Sequence, residues 1–172
     1  QPARGSSLSA PSAAIFQKTP RAVAGKMLLG NVLQRAGRYA EALQLHQEAL
    51  DQCTGKVCGV EMPSRLAAVA DDLRGLSRDR QALPLLEQAL RLLPPSAEPE
   101  TRARIQFSLG QALWTVDGNK SRERVVDLTE RARKQYLELG RQHLPAADEV
   151  AAWQKRQKLE PDVLPGPTPT AP

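Results

Sequence analysis

The sequence predicts an all-α protein built from stacked helix pairs, and three observations carry that reading. Only 3 % of the 172 residues are aromatic, six rings in all (Phe16, Tyr39, Phe107, Trp114, Tyr136, Trp153). That is too few for a β-sandwich core, which leans on β-branched and aromatic residues, or for the base-stacking platform of an RNA-binding sheet. Leu, Ala, Gln, Arg and Glu dominate, and all favour helix. Finally, the segment LLGNVLQRAGRYAEALQLHQEAL (28–50) recurs as AAVADDLRGLSRDRQALPLLEQAL (67–90) and again as FSLGQALWTVDGNKSRERVVDLTERA (107–132). Such internal recurrence is the mark of a repeat architecture.

The register of the copies is regular. Gly30, Ala70 and Gly110 fall 40 apart, as do Leu29, Val69 and Leu109, and Leu33, Leu73 and Leu113. Ala42 and Ala82 keep the same step, as do Ala49 and Ala89, whereas Ala132 lies 43 beyond Ala89. Three residues are therefore inserted in the internal turn of the third copy, around VDGN.

Each copy reads as two helices. The first spans about Thr19 to Ala36, with Leu29 and Leu33 on one face. Gly37 ends it, tolerating positive φ just past a helix terminus. The next, from about Tyr39 to Gln52, places Ala42, Leu43, His46 and Ala49 at helical spacing. In the second copy Leu66, Val69, Ala70 and Leu73 form one apolar face. Ala82, Leu85, Leu86, Ala89 and Leu93 form the other, and Pro94-Pro95 stop it. The third copy has Ile105, Leu109 and Leu113, a turn at Asp117-Gly118, and a helix from about Ser121 to Leu139. There Ser121 is expected to cap, ahead of Glu123. The small residues at 30, 70 and 110, and at 42, 49, 82 and 89, mark close helix crossings, where a large side chain would open voids.

Before and after these copies the composition changes. Residues 1–18 are rich in Ser, Ala and Pro and lack a periodic apolar face, so disorder is expected. Residues 160–172 carry five prolines in thirteen positions, which forbids helix. The ordered domain is expected over 19–159, with repeats at about 19–53, 62–95 and 98–140. A last amphipathic helix, 144–159, is expected to cap the stack through Ala147, Val150, Ala151 and Trp153, with Gln154 facing water. Without an initiator Met or an apolar leader, the chain reads as a fragment or a matured product.

The charge balance is 24 basic against 19 acidic residues, a net +5. Residues 1–40 carry Arg4, Lys18, Arg21, Lys26, Arg35 and Arg38 and no acid. The bases are spread thinly, without interleaved aromatics, which disfavours nucleic acid as a partner. No apolar run approaches the roughly 18–20 residues that span a bilayer.

The pattern Leu-Gly-x-x-Leu, then Gly-x-Tyr-x-Glu-Ala, then Ala seven residues on, resembles the tetratricopeptide repeat. Gly30, Leu33, Gly37, Tyr39, Glu41, Ala42 and Ala49 carry it in the first copy. Leu66, Val69, Ala70, Leu73, Ala82, Leu86, Ala89 and Pro94 carry it in the second. Leu109, Gly110, Leu113 and Ala132 carry it in the third, with Val125 for the expected Ala. Lys26 and Gln106 stand where a large apolar residue is usual. The step of 40 exceeds the usual ~34, and resembles the longer variety of kinesin light chains and of bacterial signalling proteins, where such arrays often follow a kinase domain.

The resemblance implies a right-handed superhelical α-solenoid of three helix pairs plus a C-terminal capping helix. It also implies a concave groove lined by the first helix of each pair. The groove residues then include Asn31, Gln34 and Arg35, with Asp71 and Arg74, and with Arg104, Phe107, Gln111 and Trp114. Phe107 and Trp114, beside an Arg, offer an anchor for a partner side chain. Trp114 packing on the last helix is the competing reading. Only Asn31 and Arg104 match the Lys and Asn positions with which some family members hold a peptide carboxylate, which argues against that clamp.

No catalytic constellation is present. GxxxxGK[ST], GxGxxG, HExxH and GxSxG are all missing. His46 occupies a core-facing repeat position and His143 a loop, and neither has a nucleophile and carboxylate around it. Neither an enzyme, a cofactor nor a metal is expected. Cys53 and Cys58 read as two free thiols, or as a short-loop disulfide if the chain is exported. With His46 they would give only three metal ligands at irregular spacing. The function expected is a non-enzymatic scaffold or adaptor, binding a protein or peptide in the concave groove, and detached from a larger signalling protein. The cytoplasm is favoured over an exported compartment. A nucleic-acid-binding array and a self-associating array are the alternatives.

Overall fold

A computed structural model of the chain describes residues 20–52 and 56–159, with side chains from Arg21 onward and, after the break, from Glu61. The expectations for 1–18, for 160–172, for Cys53 and for the Cys58 side chain lie outside the described residues. Seven α-helices follow one another among the described residues, and no strand occurs there. They are α1 (Pro20–Arg35), α2 (Tyr39–Asp51), α3 (Lys56–Gly75), α4 (Asp79–Leu92), α5 (Pro99–Asp117), α6 (Arg122–Glu138) and α7 (Leu144–Arg156). Short 3-10 turns, Gly118–Ser121 and Arg141–His143, precede α6 and α7. The helix α3 starts ahead of the expected position 62 and runs through Pro63.

Every helix packs on the next in sequence. The first helices also touch across pairs, α1 against α3 and α3 against α5. Three hairpins in a row, plus one further helix, make an all-α solenoid. Its core is one continuous cluster from Leu66 to Leu159, with Val69, Leu86, Ile105, Leu109, Val125 and Val150 wholly buried or nearly so.

The small residues lie where helices touch. A Cβ on Gly30 would stand 2.4 Å from His46 Nε2 on α2, and one on Gly110 would stand 2.8 Å from Thr129 Cγ2 on α6. Gly75 makes a third such approach, with the Tyr39 ring 2.3 Å from where its Cβ would be. Ala42, Ala49, Ala82, Ala89 and Ala132 are fully buried.

The turns repeat as well. Gly37 stands at φ +76 and the Arg38 amide donates to the Leu33 carbonyl at 2.9 Å. Ser77, at φ +59, is followed by Arg78 donating to Leu73 at 2.8 Å. Lys158, at φ +55, closes α7 in the same way, with Leu159 donating to Gln154 at 2.9 Å. The left-handed residue lets the chain reverse while the amide after it satisfies a carbonyl of the last turn. Leu159 is then fully buried. The last helix thus ends as a first helix of a pair does.

Three sequence expectations are corrected by this packing. Leu29, expected to pack inward as Val69 and Leu109 do, is exposed. The helices that carry Val69 and Leu109, α3 and α5, pack on α2 and α4 of the preceding pair, and no described helix precedes α1. Ser121 does not cap α6; its hydroxyl donates back to Asp117 Oδ2 at 3.0 Å. Gln154, expected in water, is buried, and donates to Thr129 Oγ1 at 3.0 Å and to Glu130 Oε1 at 2.7 Å.

Candidate interaction site

The first helices α1, α3 and α5 carry all nine residues expected to line the groove. Helical spacing puts Asn31 and Arg35 on the exposed side of α1. Gln34 is half-buried and committed inward, donating to Asp72 Oδ1 at 2.7 Å. From α3 come Asp71 and Arg74, and from α5 Arg104, Phe107, Gln111 and Trp114.

Asp71 is the junction of this surface. Arg104 donates from Nη1 to Asp71 Oδ2 at 2.9 Å, across the α3–α5 seam. Arg74 Nη1 lies 3.9 Å from Asp71 Oδ1, and its Nε lies 3.3 Å from Asp79 Oδ1. One carboxylate therefore bonds the Arg104 guanidinium and lies near that of Arg74, and Arg104 keeps much of its own in solvent. A planar guanidinium with free donors suits carbonyl and carboxylate oxygens. Tyr136 lies beneath this cluster. Burial pushes its phenol up to about 12, opposed by the nearby Arg104 charge and reinforced by Glu100, Glu149 and Asp71. Its ring stacks on His143, with centroids 6.4 Å apart.

The two aromatic groove residues part company. Phe107 is buried and meets Trp153 of α7 edge-on, with centroids 5.9 Å apart. Trp114 is half-buried, and its indole N–H donates to Gln157 Oε1 at 2.8 Å. The structure thus brings Asp71, Arg74 and Arg104 together, leaves Asn31, Arg35 and Gln111 as separate polar positions along the first helices, and turns Phe107 into the core. A cleft of about 520 Å³ lies on a different side, between α2 and α4, lined by Leu43, Gln47, Leu73, Arg78 and Leu85 among others.

A second polar group sits inside the stack. His46 and Asp72 are both fully buried, with Nδ1 and Oδ2 2.6 Å apart. His46 Nε2 faces the Met27 carbonyl at 3.4 Å. The arrangement holds a carboxylate and an imidazole but has no path to solvent, so it fastens helices rather than acting on a substrate. Asp72 escaped the sequence reading. The signal was His46 itself, a polar residue where the second pair has Leu86. No group of three or more His, Cys, Asp or Glu side chains positioned to hold a metal occurs among the described residues. No described helix is long and apolar enough to cross a membrane.

Residues 23–94 match the family model of the tetratricopeptide repeat. Over that stretch the chain carries tetratricopeptide repeats. The match spans α1 to α4, under half of the chain, and stops before the third helix pair. No curated protein matches the chain. Tetratricopeptide repeats are in general protein–protein interaction modules, typically without enzymatic activity.

Proposed function

We propose that this protein is a scaffold or adaptor that binds an extended protein segment along the first helices of its pairs. The reading rests on one observation, the bond from Arg104 to Asp71 across two neighbouring first helices. It holds a partly exposed guanidinium at a fixed place on the surface those helices share. Because Asp71 takes one Arg104 nitrogen, the remaining donors are oriented before a partner arrives, and preorganisation reduces the entropy lost on binding. Gln111 adds an amide about two turns further along α5, and the half-buried face of Trp114 adds an apolar contact. A place within a larger signalling protein fits the long-period resemblance of the repeats.

The test is capture of partners by the full chain, compared with Arg104→Ala and with Gln111→Ala. Partners lost from both variants, at unchanged helicity, support the reading. Partners kept by both sink it. Trp114→Phe, which retains the ring but not the bond to Gln157, should keep the same partners.

A further inference from the structure

The outward side of α1 carries an apolar stripe that no described part of the chain covers. Leu28, Leu29 and Val32 are 68 %, 52 % and 57 % exposed, and together they are the most exposed large apolar side chains of one helix. Their positions i, i+1 and i+4 form one face. Gly25 stands one turn before them, and a Cβ added to it would meet nothing within 4 Å. A partner backbone can therefore approach α1 closely there. The spacing suits a second helix laid along the first, as α2 packs on α3 and α4 on α5 deeper in the stack.

The charges around the stripe choose the occupant. Arg21 and Arg35 are exposed on the same side, one near each end of α1. They are fourteen residues apart, about 21 Å along a helix. Neither is in an ion pair among the described residues, and α1 contains no acid. A second copy of α1 would set Arg against Arg in either orientation. The chain's own residues 1–19 contain Arg4 and Lys18 and no acid. Residues 160–172 do carry Glu160 and Asp162, but five prolines bar a helix.

We infer that the outward face of α1 docks an acidic amphipathic helix of another protein. Its apolar side would cover Leu28 and Val32, and its carboxylates would meet Arg21 and Arg35. This surface is at the end of the stack and does not depend on the groove around Asp71 and Arg104, although Arg35 stands at the border of the two.

The test uses the full chain and two labelled synthetic helical peptides, followed by fluorescence anisotropy at low and high salt. Both peptides carry Leu at helical spacing; one is flanked by Glu, the other by Lys. The Glu peptide should bind at least tenfold tighter than the Lys peptide, and the gap should narrow in high salt. Leu28→Glu with Val32→Glu should weaken it at least tenfold without loss of helicity. Arg21→Glu with Arg35→Glu should reverse the preference. Arg104→Ala should leave binding unchanged, so that failure of the groove and failure of this face are told apart. Equal binding of both peptides overturns the inference, as does binding that ignores the Leu28 and Val32 substitutions. A concentration-dependent dimer abolished by Leu28→Glu would make a second copy the occupant and overturn it too. So would a tenfold gain in peptide affinity on Ile15→Ser with Phe16→Ser, which would mean the chain covers its own face.

Discussion

His46 on α2 and Asp72 on α3 meet with 2.6 Å between Nδ1 and Oδ2, both fully buried, where the first helix pair passes to the second. Gln34 takes the other carboxylate oxygen from α1. Three helices are thus joined through one carboxylate. Its cost in desolvation is met only while both partners are present. His46→Leu should therefore destabilise by about 3–5 kcal/mol, because it leaves Asp72 buried without its main partner. This holds even though Leu86 fills the matching place one pair later. Adding Asp72→Ala should recover much of the loss. Urea unfolding of the two single variants and the double variant checks this, and strictly additive losses would refute it.

Two glycines of α1 should respond oppositely to alanine. Alanine favours helix over glycine by about 1 kcal/mol. At Gly25 nothing stands in the way, so Gly25→Ala should stabilise by about that amount. At Gly30 the new methyl would lie 2.4 Å from the His46 ring, which is itself fixed by Asp72. Gly30→Ala should then destabilise by about 1–3 kcal/mol, the range for overpacking. Thermal unfolding of both variants gives the signs directly.

Tyr136 should ionise late. In a Tyr39→Phe background it is the sole phenol of the chain. Its absorbance change on ionisation should be centred at about 12, shifted up mainly by burial. The raised value means that the folded state favours the neutral phenol. This contribution to stability is whole below the ordinary phenol range near 10 and is lost as pH rises through about 12. A midpoint near 10 would mean that Tyr136 is not enclosed by α5, α6 and α7.

Gln154 should hold the last helix in place. Gln154→Ala leaves Thr129, fully buried on α6, without its amide donor. The expected cost is about 1–3 kcal/mol. The adjacent Trp153, edge-on to Phe107, should report it as a red-shifted emission. Unchanged emission and stability would show that α7 is held by apolar contacts alone.

The hairpins were legible because glycine and alanine at helix crossings leave few alternatives. Gly30 and Gly110 sit against partner helices as their recurrence implied. Polar burial was less legible. Spacing puts Gln154 on the rim of its helix, and only Thr129 across the seam turns it inward. Asp72 is one residue from Asp71, and sequence alone does not separate an inward carboxylate from an outward one. Phe107 shares the α5 face with Arg104, yet an aromatic ring of α7 within reach outweighs solvent. Leu29 repeats the pattern of Val69, but no described helix precedes α1 to bury it. Periodicity describes one unit, whereas burial depends on which neighbours that unit has.

The matching place in the three second helices holds His46, Leu86 and Thr129, each fully buried. His46 answers to a carboxylate, Thr129 to an amide, and Leu86 to neither. The hairpins are consequently not interchangeable bricks. Permuting their order would strand Asp72 or Gln154 opposite a hydrocarbon, so the chain encodes one sequence of neighbours and penalises every shuffled one.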